Sequence, residues 1–116
     1  MNRKAVGQKG EQLACDFLKE KGYRILDRNH RSRLGEIDIV CNDSGAIVFV
    51  EVKTRTSNRF GLPAESVGPQ KQKRLRRLAQ EYLITHQLEQ CDVRFDVLSI
   101  MLSSEPPAIE HIYGAF

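Results

Sequence analysis

The sequence predicts a single mixed α/β domain spanning residues 1–116, with helices packed on the faces of one central sheet. Apolar residues recur at helical spacing in two segments, and five further segments, the last of them short, are predicted to be strands from their apolar and β-branched residues. Strands joined by short turns pair antiparallel, whereas a strand–helix–strand connection favours a parallel pair with a right-handed crossover. The sheet is therefore predicted to be mixed.

The first element is predicted to be a helix over about residues 4–21, ended by Gly22. Its apolar stripe has three- and four-residue spacing and consists of Val6, Gly10, Leu13, Ala14, Phe17 and Leu18. A strand is predicted at residues 23–29, and the basic residues 30–33 are predicted to form a turn.

The next two strands, at residues 36–41 and 46–53, are predicted to form a hairpin around the Asn42-Asp43-Ser44-Gly45 turn. Residues 54–68 are polar and are predicted to form a loop. Pro69 is expected to begin the second helix. The apolar face of that helix consists of Leu75, Leu78, Ala79, Tyr82 and Leu83. Strands follow at residues 93–100 and 109–113, separated by Pro106-Pro107.

Composition excludes several classes of protein. The chain has no apolar run long enough to span a membrane, and its basic N-terminus lacks the apolar region of a signal peptide. Cys15, Cys41 and Cys91 form no C-x-x-C pair, so they predict reduced thiols in the cytoplasm instead of a zinc or redox motif. Cys15 and Cys41 lie in apolar patterns and are predicted core residues.

The net charge of +3 is modest, but the basic residues cluster around residues 24–33 and 71–77. Such clusters suit a polyanion, and a solvated helix or loop face is the alternative interpretation. Asp96 stands in a predicted strand, where a salt bridge is favoured over metal ligation. The three histidines have no ligand spacing and are predicted surface or satisfied core residues.

Acidic residues inside the predicted hairpin carry the main functional signal. Strand periodicity places Glu36, Asp38 and Val40 on one face, and it places Glu51 and Lys53 together on one face of the next strand. The hairpin would bring Asp38 close to Glu51 or Lys53, and two such carboxylates repel unless a cation lies between them. Mg²⁺ and Mn²⁺ prefer these oxygen ligands. Structural ion pairing is the alternative.

Two further residues could complete the predicted site. The ammonium of Lys53 could orient or activate an attacking water and offset charge on a phosphate. Glu11 lies at the edge of the first helix's apolar stripe and could bind a metal directly or through water; alternatively it is a helix-surface residue. Gly7, one turn before Glu11, and Gly10, next to it, would allow close approach of a substrate or a strand.

Asp38 followed by Glu51-Val52-Lys53 resembles the PD-(D/E)XK nuclease superfamily, although Ile37 replaces the usual proline before the first acid. More closely, the chain resembles the YraN family of small bacterial proteins from Gly7 to Phe116. The resemblance rests on Gly7-x-x-Gly10-Glu11, Gly35-Glu36-Ile37-Asp38, Phe49-Val50-Glu51-Val52-Lys53 and Lys73-x-x-Arg76. It implies a restriction-endonuclease-like three-layer fold with core order αβββαβ.

By position, the resemblance implies that Asp38, Glu51 and Glu11 bind Mg²⁺ or Mn²⁺ and that Lys53 is the catalytic lysine. Glu36 is either an extra acid at the site or the partner of a basic residue. The expected activity is hydrolysis of phosphodiester bonds in DNA, favoured over RNA, with branched or damaged DNA as candidate substrates. Residues expected to bind nucleic acid are Arg31, Arg33, Arg55, Arg59, Gln72, Lys73 and Arg76.

Two other functions stay open from the sequence. One is a nucleic-acid-binding module that keeps the nuclease fold without cutting. The other is a protein-interaction domain in which the acids form structural ion pairs. A homodimer is compatible with the resemblance, because members of the superfamily often dimerise to cut two strands.

Overall fold

A computed structural model of the chain describes residues 2–56 and 67–116, which form two helices and one five-stranded sheet. The elements are α1 (Arg3–Glu20), β1 (Arg24–Ser32), β2 (Gly35–Asp43), β3 (Ala46–Arg55), α2 (Pro69–Thr85), β4 (Val93–Met101) and β5 (Ala108–Ile112). The strands lie in the order β1-β2-β3-β4-β5, and only β3 and β4 pair in parallel. The predicted mixed sheet and parallel crossover are confirmed.

The two helices cover opposite faces of the sheet. On one face, Ala14, Cys15 and Leu18 of α1 pack with buried residues of β2, β3 and β4. On the other face, Leu78 and Tyr82 of α2 pack in a second core that contains residues of the same three strands. The predicted apolar faces of both helices are therefore confirmed. Neither described helix is long and apolar enough to cross a membrane.

Two predicted boundaries were wrong. Strand β1 continues to Ser32, with Arg31 paired to Glu36, so the turn at residues 30–33 shrinks to Arg33 and Leu34. An edge strand keeps one side open to solvent, so basic side chains there need not indicate a turn. Strand β3 likewise continues to Arg55 against β4, which shortens the predicted loop at residues 54–68. The part of that loop at residues 57–66, which contains Arg59, lies outside the described residues.

A buried ionic network holds the C-terminal segment on the sheet. Asp96 is 0% exposed; its two oxygens accept hydrogen bonds from Nε and Nη2 of Arg94 at 2.9 and 3.0 Å. His111 Nε2 lies 2.7 Å from Asp96 Oδ2, and the Gly114 N–H donates to Oδ1 at 3.0 Å. Burial raises the pKa of Asp96, but the bonds from Arg94, Gly114 and His111 outweigh it and lower the pKa overall. The predicted salt bridge of Asp96 is confirmed.

Gly10 allows α1 to approach β3 closely. A Cβ atom at this position would lie 1.8 Å from Oγ1 and 2.7 Å from Cβ of Thr54. Rotation of Thr54 could not remove the second overlap, because its Cβ is fixed to the backbone. The predicted close approach at Gly10 is confirmed for the strand, whereas a Cβ at Gly7 would meet no atom of the described residues within 4 Å. The contact therefore sets Glu11, the next residue in α1, beside the end of β3.

Replacing Gly10 with alanine is expected to lower the free energy of unfolding by about 1–3 kcal/mol, because the overlap with Thr54 outweighs alanine's helix preference. Gly7→Ala is the matched control in the same helix. It gains helix preference without a clash and is expected to stabilise by about 0.5–1 kcal/mol. Urea unfolding of both variants measures the difference, and equal stability of the two would contradict the close approach.

Candidate metal centre and catalytic cleft

The candidate site is a cleft at a fork in the sheet. The ladder between β2 and β3 ends at the Ile39–Val50 pair. Beyond it, β2 pairs with β1 and β3 pairs with β4 among the strands that the structure describes, so β2 and β3 separate. An open cavity of about 690 Å³ lies at this fork, beside the N-terminal half of α1. The cavity is lined by all four predicted catalytic residues, which are Glu11, Asp38, Glu51 and Lys53.

Asp38 lies at the point where the strands separate. Its Oδ2 accepts a hydrogen bond from the backbone N–H of Val52 at 2.8 Å. This side-chain bond links β2 to β3 beyond the last pair of the ladder between them. Burial, followed by the charge of Glu51, raises the pKa of Asp38 to about 7, although the bond from Val52 opposes the shift. The charges of Glu11 and Glu36 add to the increase. The fold thus holds this carboxyl where a negative charge is poorly compensated.

The predicted shared face of Glu36, Asp38 and Val40 was wrong. Ile37 and Val40 both belong to the core under α2, whereas Ile39 between them belongs to the core under α1, so strict alternation is lost. The loss coincides with the end of pairing to β3 and with a left-handed residue in β1, Asn29, whose φ is 52°. A strand with a partner on one side only is free to twist, and period two no longer decides its faces.

Glu51 and Lys53 share the α2 side of β3, as predicted. The Glu51 side chain is 10% exposed, and its Oε1 lies 3.5 Å from Lys53 Nζ. A third residue, Lys71 in the first turn of α2, places its Nζ 2.5 Å from the same oxygen. Sequence reasoning missed Lys71, because nothing distinguishes it from the other basic residues of that helix.

The two lysines differ in how the site affects them. Burial and the nearby Lys71 lower the pKa of Lys53, although Glu51 opposes the shift. Burial also lowers the pKa of Lys71, but the hydrogen bond to Glu51 and other interactions raise it overall. Lys71 is therefore the ammonium that is most firmly paired with Glu51.

Glu11 contributes a buried acceptor that lacks a partner. Its Oε1 is buried without a hydrogen-bond partner among the described residues, which is costly for a carboxylate. Carboxylate oxygens of Glu11, Asp38 and Glu51 border one cleft, and this hard-oxygen donor set fits Mg²⁺ or Mn²⁺. Within residues 2–56 and 67–116, however, no three acidic, histidine or cysteine side chains are already arranged around a common point that could hold an ion.

Glu36 has a different role from the cleft acids. Its side chain is 51% exposed, and its Oε2 lies 3.4 Å from Nε of Arg31. It does not line the cleft. Of the two interpretations that the sequence left open, the structure supports the ion-pair partner.

The predicted nucleic-acid-binding residues that the structure describes come from several elements. Arg55 lines the cleft, as does Arg3, which sequence reasoning missed. Arg33 is exposed in the turn between β1 and β2, and Lys73 is exposed on α2. Arg59 lies outside the described residues. The amide of Gln72 donates to the Val67 carbonyl at 2.9 Å.

Arg76 is held against aromatic rings. Its guanidinium lies 5.2 Å from the ring centroid of Phe95 and 5.5 Å from that of Phe116. Cations at such distances from aromatic faces are attracted by the ring quadrupole. Arg76 therefore helps to pack the C-terminal end of the chain, whatever else it binds.

The fold and the cleft define a small mixed α/β protein with acids and lysines gathered at a fork in its sheet. The chain belongs to the uncharacterised protein family UPF0102, whose family model matches residues 10–100. This segment includes Glu11, Asp38, Glu51, Lys53 and Lys71. The match shows UPF0102 as the family of this chain. Membership of the PD-(D/E)XK nuclease superfamily stays a prediction.

Three relatives illustrate the match. A UPF0102 protein of Alkaliphilus oremlandii is 50% identical over 118 residues, covering 100% of both chains. One of Syntrophus aciditrophicus is 49% identical over 111 residues, covering 96% of this chain and 87% of its own. One of Syntrophomonas wolfei is 47% identical over 116 residues, again covering 100% of both chains. The similarity therefore extends over nearly the whole chain.

Proposed function

We propose that the protein is a Mg²⁺- or Mn²⁺-dependent nuclease that hydrolyses phosphodiester bonds in DNA. The observation that carries the proposal is the convergence of Glu11, Asp38, Glu51 and Lys53 on one cleft, although they come from three different elements. Glu51 contacts two lysines, but burial raises the pKa of Asp38, and Glu11 Oε1 has no hydrogen-bond partner among the described residues. Buried acids that are poorly compensated are costly to stability, so their presence at one place favours a functional explanation.

The cleft residues have distinct parts in this proposal. Glu11, Asp38 and Glu51 would hold the ion, which when bound polarises a phosphoryl oxygen and lowers the pKa of a bound water. Lys53, 3.5 Å from Glu51, is placed to orient the attacking water and to offset charge on the phosphate. Arg3 and Arg55, which also line the cleft, supply positive charge for the neighbouring phosphates of a strand.

We further propose that the chain has the restriction-endonuclease-like fold of the PD-(D/E)XK superfamily. The order of α1, β1, β2, β3, α2 and β4 agrees with the αβββαβ core that the resemblance implies. The described cysteines are free thiols, which is compatible with action in the cytoplasm. A homodimer that cuts both strands is part of the same proposal.

A non-catalytic nucleic-acid-binding module is the second candidate. It is favoured by the Lys71–Glu51 contact of 2.5 Å, which occupies a proposed ligand oxygen with an ammonium. In that case the acids and lysines of the cleft neutralise one another. The basic residues at its border would still bind phosphates.

Incubation of the purified protein with Mn²⁺ is expected to cut at least one of linear, branched and single-stranded DNA, and EDTA is expected to stop the cutting. Gel analysis with each substrate, with RNA of matched sequence beside it, measures the activity. Salt-dependent DNA binding without cutting, together with no Mn²⁺ binding, would instead identify the binding module.

A further inference from the structure

Lys71 is the residue of the site that neither the motifs nor the proposed chemistry uses. It reaches Glu51 from the first turn of α2, and it does not line the cleft itself. Its Nζ lies 2.5 Å from Glu51 Oε1, which is 1.0 Å closer than Lys53 Nζ to the same atom. Charge-assisted contacts between an ammonium and a carboxylate are stronger than neutral hydrogen bonds.

The three acids border one cleft but are not gathered into a ligand set. No group of three potential ligands that could hold an ion is present among residues 2–56 and 67–116. Asp38 is fixed by the Val52 N–H, whereas Glu11 Oε1 lacks a hydrogen-bond partner in the described part of the chain. The Glu51 carboxylate, in contrast, is held by its contact with the partly exposed ammonium of Lys71.

We propose that the ammonium of Lys71 competes with the divalent ion for the Glu51 carboxylate. In the absence of the ion, Lys71 holds this carboxylate away from the other proposed ligands, and binding of the ion displaces the Lys71 ammonium. This inference rests on the proposed metal site. Lys71 is suited to the role because its side chain is 29% exposed, so the released ammonium can return to water. A shorter or fully buried cation could not be released without leaving an unpaired buried charge.

The competition has a consequence for metal affinity. Binding of the ion must break the Lys71–Glu51 contact, so the affinity measured for the wild-type protein is weaker than the ligands alone would give. Lys71→Met removes the ammonium while keeping an unbranched side chain, and it is expected to tighten Mn²⁺ binding by about tenfold. Lys71→Arg keeps a cation in place and is expected to bind Mn²⁺ as the wild type does.

Titration calorimetry with Mn²⁺ measures these affinities without any nucleic acid. Lys73→Met is the matched control, because it removes the same charge from an exposed position two residues further along α2. It is expected to leave the affinity unchanged. If Lys71→Met and Lys73→Met tighten binding equally, the effect is one of net charge and the proposed competition is wrong.

A second measurement follows the ammonium directly. Acylation of Lys71 by an amine-reactive ester, measured by mass spectrometry of the wild-type protein, is expected to increase when Mn²⁺ is added. Lys73 in the same sample is the reference, and its labelling is expected to stay constant.

The outcomes separate this inference from the proposed function. Mn²⁺ binding by the wild type, with no increase in Lys71 labelling and no gain in Lys71→Met, overturns the competition and leaves the metal site standing. Absence of Mn²⁺ binding in the wild type and in Lys71→Met overturns both.

Discussion

Replacing Asp96 with alanine is expected to lower the free energy of unfolding by about 3–5 kcal/mol, a large part of the stability of a domain this size. The carboxylate is 0% exposed and accepts bonds from Arg94, His111 and Gly114. Removing it leaves the Arg94 guanidinium without its bidentate partner and the buried His111 ring without an acceptor. Arg94 keeps its ion pair with Asp43, so the cost comes mainly from the other donors that lose their acceptor.

Denaturant unfolding followed by circular dichroism measures this loss. Asp92→Ala is the control, because it removes an acid from an exposed position just before β4 and is expected to change stability by less than about 0.5 kcal/mol. A loss below about 1 kcal/mol for Asp96→Ala would show that the network contributes little to holding the C-terminal segment.

Replacing Asp38 with asparagine is expected to move activity and stability in opposite directions. Cleavage should fall by about 10³-fold, because a proposed metal ligand and its charge are lost. The folded protein should become more stable by about 1 kcal/mol at pH 8. The pKa of Asp38 rises to about 7 in the fold, against about 3.9 in an unfolded chain, so the folded state loses stability as the pH rises from about 4 to about 7, and the whole loss is present at pH 8. A neutral amide lacks that charge and can still accept the Val52 N–H bond.

Thermal unfolding in EDTA and initial cleavage rates in Mn²⁺ measure the two effects separately. Glu36→Gln is the control on the same strand, since it removes an exposed acid that pairs with Arg31 outside the cleft. It is expected to change neither quantity appreciably. Cleavage by Asp38→Asn at the wild-type rate would rule out the proposed role of this carboxylate, whatever its stability.

The candidate site was predicted best where a strand has neighbours on both sides. Strand β3 pairs with β2 and β4 as far as Val50 and with β4 thereafter, and Glu51 and Lys53 lie on one face as period two requires. Strand β2 loses a neighbour beyond Ile39, and there the predicted faces were wrong. Alternation is thus a property of the paired strand, and sequence alone does not show where pairing stops.

Contacts between distant elements were the part that sequence could not supply. Lys71 contacts Glu51, which lies 20 residues earlier in the sequence. Lys71 is one of several basic residues in a row, and the sequence does not indicate which acid any of them contacts. The salt bridge of Asp96 was predicted, but the contact between His111 and Asp96 was not, because it depends on the pairing of β4 with β5. The close approach at Gly10 could be predicted, because glycine has no Cβ and so allows another element to pack against the backbone.

The position of Arg3 at the border of the cleft affects how the protein should be produced for metal studies. A polyhistidine purification tag placed before Asn2 would bring imidazoles close to the acids of the cleft, where they could bind the very ions being titrated. At the other end of the chain, Phe116 is stacked on Phe95 with a ring separation of 5.0 Å. A tag that is removed completely after purification therefore disturbs neither end.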